Sequence, residues 1–89
     1  MIVVTKHGDF DCKDITRKER RMYYREVKEV FASGDDLKLH DMADKFAEEI
    51  AFDDADKSLK GLSAIAEDEV LIEIIKAYMG LELGNSTGD

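Results

Sequence analysis

His7, Asp9, Asp11 and Cys12 fall within six residues near the start of the chain, the one place where nucleophile-type side chains cluster. A Cys–His pair needs a third group to orient the imidazole and a rigid donor set for an oxyanion. A turn flanked by short strands supplies neither, so Cys12 reads as a small apolar packing residue. It is the only cysteine, which excludes an internal disulfide and a multi-cysteine zinc site and suits a reducing compartment.

Metal chemistry can be tested by spacing. Asp54-Ala55-Asp56-Lys57-Ser58 begins like a calcium loop, but Leu59 stands where the loop needs glycine, and Ile65 where it needs a bidentate glutamate. His40 lies four residues from both Asp36 and Asp44 and could share a helix face with them. A stable zinc site wants a fourth ligand, preferably another His or Cys. No Glu-x-x-His pair and no glycine-rich phosphate loop occurs. The expectation is a protein without cofactor, metal or active site.

The strongest pattern is in the charge. All four arginines lie between Arg17 and Arg25, and residues 13–28 carry seven positive against three negative charges. Residues 1–34 sum to +2 and residues 35–89 to −10, for a total of −8. A basic helix bearing Tyr23 and Tyr24 could meet phosphates and stack bases, and a hairpin followed by helices resembles ribbon-helix-helix DNA binders in layout. Asp9, Asp11 and Asp14 sit where groove-reading strands need basic or neutral side chains, and the acidic remainder repels a polyanion. The plainer expectation is a solvated face whose positive charges pair with the acidic second and third helices.

The elements that carry these residues follow from local signals. Residues 1–6 are β-branched and apolar, His7-Gly8-Asp9 reads as a turn, and Phe10 to Ile15 as a returning strand. Thr16-Arg17-Lys18-Glu19 fits a capping box, and Tyr23, Val27, Val30 and Phe31 form one helical face, so a helix runs from about 17 to about 32 and stops at Ser33-Gly34. Asp35 and Asp36 offer N-caps for a second helix carrying Leu39, Met42, Ala43, Phe46, Ala47 and Ile50, to about Phe52. Residues 53–61 form a connector with one helical turn around Leu59.

Ser63 or Glu67 opens the last helix, and Gly80 stops it. Val70, Leu71, Ile74, Ile75 and Tyr78 supply its buried stripe. Ile72 and Met79 widen that stripe, so the helix is either central to the fold, closes a homodimer, or meets a partner. The expected fold is α+β and mostly α: a short N-terminal β-hairpin and three amphipathic helices in one domain spanning 1–83, with a disordered polar tail over 84–89. No apolar run reaches the ~18–20 residues of a membrane span, and the first residues lack the pattern of a signal peptide, so a cytoplasmic protein is expected.

The hairpin with Val3-Val4-Thr5 and Asp14-Ile15-Thr16, the basic capped helix Thr16-Arg17-Lys18-Glu19-Arg20-Arg21, the acidic helix, Leu59 with Leu62-Ser63 and Glu67-Asp68, and the closing Ile74-Ile75-Lys76-Ala77-Tyr78-Met79-Gly80-Leu81 together resemble the small tail assembly chaperones of long-tailed bacteriophages. The resemblance covers nearly the whole chain. It implies a non-enzymatic protein that binds the long helical tape measure protein until tail-tube subunits assemble around it. Many members also exist in a longer, frameshifted form, and the family has no catalytic residues to carry over. On this reading Val70, Ile72, Met79, Leu81 and Leu83 are the partner-contacting candidates, with Arg17, Arg20, Arg21 and Arg25 as an electrostatic rim. The competing expectations are a small nucleic-acid-binding regulator using the basic helix 17–28, and an acidic decoy for a DNA-binding protein.

Overall fold

The computed structural model describes residues 1–80. In chain order the elements are β1 (Ile2–Thr5), β2 (Gly8–Asp11), α1 (Arg17–Ser33), α2 (Asp36–Lys45), a π-helical segment (Phe46–Ala51), a single turn α3 (Ala55–Ser58) and α4 (Ala64–Met79). The protein is mostly α, with one two-stranded antiparallel hairpin at its start.

The hairpin is tighter than expected. Thr5 pairs with Gly8, so the loop is Lys6-His7 alone and Gly8 begins the second strand, at φ 123°. That angle is open to glycine and strained for other residues. The Thr5 hydroxyl accepts from the His7 backbone N–H at 3.1 Å, which turns the chain at that point. The returning strand reaches only Asp11, four residues short of Ile15. Cys12 N–H still donates to the carbonyl of Met1, its partner in the hairpin register, at 2.7 Å, and the chain leaves the ladder at Lys13, whose N–H donates to the Ala51 carbonyl at 2.9 Å.

The helix boundaries follow their caps. At the start of α1 the Thr16 hydroxyl accepts from Glu19 N–H at 3.1 Å, and Glu19 Oε1 accepts from Thr16 N–H at 2.9 Å. Asp35 Oδ1 accepts from Leu37 N–H and Lys38 N–H at the start of α2. Ser63 caps α4 by accepting from Ala66 N–H at 3.2 Å. Past Lys45 the second helix widens, and Phe52 N–H reaches back five residues to Ala47 O. The wider turn lets Phe46, Ala47, Ile50 and Ala51 all face inward.

α4 is the centre of the fold, in contact with β1, α1, α2 and the π-helical segment. Ile74, Ile75, Val70 and Met79 join Phe46 and Val27 as the largest fully buried side chains. Burial of this apolar surface drives the assembly, at about 25 cal/mol per Å² removed from water. The inner face of β1, Val3 and Thr5, packs on this core while Ile2 and Val4 face solvent. Phe10 meets Phe52 edge-on at 6.4 Å.

Candidate functional site: an apolar groove and a basic helix face

The clustered nucleophile-type residues do not form a reactive group. Cys12 is buried, its Sγ directed at the Phe10 carbonyl, and burial pushes its thiol up to about 11 against the lowering effect of the N-terminal ammonium. His7 instead faces α4, where its Nε2 lies 2.7 Å from Glu69 Oε1 while Lys6 Nζ pairs with Glu69 Oε2 at 3.1 Å. These two contacts fasten the hairpin tip to the central helix and hold the Glu69 carboxyl below its ordinary range, the His7 hydrogen bond contributing most.

His40 likewise turns across the interface and sits 3.7 Å from Asp68 Oδ2 on α4. Asp54 caps α3 through Lys57 N–H. Among the described residues no three His, Cys, Asp or Glu side chains converge to hold a metal ion, and no helix is long and apolar enough to cross a membrane.

The apolar candidates on the last helix separate. Val70 is 0 % exposed and Met79 1 % exposed, so both belong to the core and neither is presented to a partner. The width of the apolar stripe reflects a helix surrounded on several sides. Leu81 and Leu83 lie outside the described residues, as does the 84–89 tail. Ile72 is half-buried and lines a shallow groove of about 400 Å³. The other walls are Val30, Phe31 and Gly34 at the end of α1, Asp35, Asp36 and Leu39 at the start of α2, and Lys76 one turn beyond Ile72. The groove exists because α1 stops at Gly34 in the left-handed conformation and α2 leaves at once, so two helix ends part in front of α4.

Val30, Phe31 and Leu39 were legible only as core positions of their helices. Each is half-buried, at the margin of the core. Lys76 Nζ lies 5.7 Å from the centre of the Phe31 ring, so one wall is cationic while Asp35 and Asp36 make the other acidic.

The arginines separate too. Arg20 does not belong to a free rim. Its Nε donates to the Tyr78 carbonyl at 3.1 Å and its Nη2 to the Met79 carbonyl at 2.6 Å, capping the C-terminal end of α4. Its guanidinium also sits 5.6 Å from the Tyr24 ring centre. Arg17, Arg21 and Arg25 are exposed and form no ion pair among the described residues. The expected pairing of this face with the acidic helices is therefore absent there. The one ion pair joining α1 to α2 runs the other way, from Lys45 Nζ to Glu26 Oε1 at 3.2 Å.

Comparison with protein-family models, with curated proteins and with solved structures finds no match to this chain.

Proposed function

We propose that the chain is a non-enzymatic protein-binding module and, following the layout it shares with tail assembly chaperones, that it holds apolar stripes of a long helical tape measure protein during tail morphogenesis. The observation that carries this reading is the groove between the ends of α1 and α2, floored by Ile72 and walled by Val30, Phe31 and Leu39. A partner helix would lay apolar side chains at i, i+3, i+4 spacing into such a groove, gaining the burial that water denies them. Asp35 and Asp36 on one side and Lys76 on the other would set its register by charge. The net charge of −8 supports the same role, because mutual repulsion keeps carrier and cargo from precipitating together.

The experiment is capture of the partner from infected lysate at low and moderate salt. The expected outcome is a long helical tail protein retained at moderate salt by the native chain and lost with Ile72→Asp, whose circular dichroism stays native. Nucleic acid, or a nucleic-acid-binding enzyme released as salt rises, would retire the chaperone reading. Unfolding of Ile72→Asp would place Ile72 in the core and remove it from the site.

A further inference from the structure

Two outward helix faces of this molecule carry opposite charge in matching lengths. Arg17, Arg21 and Arg25 stand at four-residue steps along α1, a row about 12 Å long at 1.5 Å per residue. Arg21 and Arg25 lie on the far side of the helix from buried Val27. On α2 and its π-helical extension, Asp41, Asp44 and Glu48 make a row about 10 Å long opposite the buried stripe of Met42, Ala43, Phe46 and Ile50. All six side chains are exposed, and none takes part in an ion pair among the described residues.

The two rows cannot satisfy each other within one molecule. α1 meets α2 and its π-helical extension through their inner faces, where Tyr23 packs on Phe46 at 5.5 Å and Glu26 pairs with Lys45 at 3.2 Å. That docking turns both charged rows away from the shared seam. Each row also has an apolar side chain beside it that the fold leaves in water, Met22 at 64 % exposure and Leu37 at 75 %.

We infer that a second copy of this chain is the ligand of the arginine row: Arg17, Arg21 and Arg25 of one copy dock on Asp41, Asp44 and Glu48 of the next, covering Met22 and Leu37. The contact is heterologous, since different faces meet. A nucleic acid would offer phosphates to the same arginines, but it would also meet the −10 of residues 35–89. A second copy can set an acidic row against the arginines while directing the rest of its acidic surface elsewhere. Charge pairs at an exposed interface are screened by salt, so the association belongs to low ionic strength. This inference is independent of the groove at Ile72.

Sedimentation velocity of the full chain tests it, at about 0.01 M and about 1 M salt. The expected result is a mass that climbs above the monomer's with concentration at low salt and returns to the monomer's at high salt. Arg21→Glu with Arg25→Glu should abolish the association, as should Asp44→Lys with Glu48→Lys, while an equimolar mixture of the two variants restores it. Lys57→Glu with Lys60→Glu makes the same change in net charge as the arginine variant, away from both rows, and should leave association in place. The proposal is overturned by a native chain that stays monomeric at low salt, by a variant mixture that stays monomeric with both components folded, or by a lysine control that dissociates as fully as the arginine variant. A monomeric native chain that retains a labelled single-stranded oligonucleotide would assign the arginine row to phosphate instead.

Discussion

α1 opens on Thr16 and stops at Gly34; α4 opens on Ser63 and stops at Gly80, with 17 and 16 residues between. Their punctuation is nearly the same and their environments are opposite. α1 buries Val27 alone, whereas α4 buries Ala66, Val70, Leu71, Ile74, Ile75, Tyr78 and Met79. Caps are local chemistry and recur wherever a helix begins or ends. Burial is set by what surrounds the helix, and α4 is surrounded by β1, α1, α2 and the π-helical segment. An apolar stripe wider than one face therefore marks a central helix before it marks a binding surface.

The sharpest way to break this comparison is to truncate one side chain on each helix. Ile74 is fully buried on α4, and Ile74→Ala should cost about 2–5 kcal/mol of stability. Met22→Ala on the outer face of α1 should stay within about 0.5 kcal/mol. Urea midpoints measure both. A small loss at Ile74 would mean that α4 is not the centre of the core.

A second contrast lies inside α1, one residue apart. Arg20 holds two carbonyls at the end of α4, while Arg21 touches solvent. Arg20→Ala should cost about 1.5–3 kcal/mol, the range for hydrogen bonds to a charged group. Arg21→Ala should change stability by less than about 0.5 kcal/mol. Equal effects would show that the arginines act as one electrostatic face, as their run in the sequence suggests.

These contrasts also mark where the sequence was legible. The Thr16–Glu19 box, the Asp35 and Ser63 caps and the stops at Gly34 and Gly80 are all decided within a few residues, and each is where the sequence places it. The order of hairpin and helices follows from them. Arg20 reaches a carbonyl 58 residues away, and no local pattern announces that. The end of β2 depends on Ala51, and the π-helical segment depends on how Phe46, Ala47, Ile50 and Ala51 are enclosed. The groove has the same origin. Ile72 could be singled out as surplus to one face, but Val30, Phe31 and Leu39 join it only because two helix ends part in front of α4.

The two glycine stops refine the comparison. Gly34 and Gly80 have nearly the same left-handed φ, 68° and 69°, so alanine should incur the same backbone strain of about 1–2 kcal/mol at each. A Cβ at Gly34 meets nothing within 4 Å, whereas at Gly80 it would stand 3.0 Å from Arg20 Nη2. Gly80→Ala should therefore be the more destabilising in thermal melts, by a margin that disappears when Arg20→Ala is already present. A margin that survives in the double variant would mean that the α4 terminus is sensitive for a reason other than its arginine cap.

The smallest expected effect concerns Glu69, where α4 meets the hairpin tip. Its carboxyl is held below the ordinary carboxylate range, first by the His7 hydrogen bond and then by Lys6. A group with a lowered folded pKa takes up its proton in the unfolded chain before the folded one. The resulting stability is present above the ordinary carboxylate pKa and is lost as the pH falls toward the lowered one. Glu19, held down by its Thr16 bonds, contributes with the same sign at the start of α1. Because the Glu69 side chain is only half-buried, replacing it with Gln should barely move the melting temperature at neutral pH. The same substitution should flatten the decline in stability on acidification, and Lys6→Met should flatten it less than Glu69→Gln does. If Glu69→Gln leaves the acid limb of the stability curve unchanged, the hairpin tip is held to α4 by Val3 and its neighbours alone, and the contacts of His7 and Lys6 contribute nothing measurable to the fold.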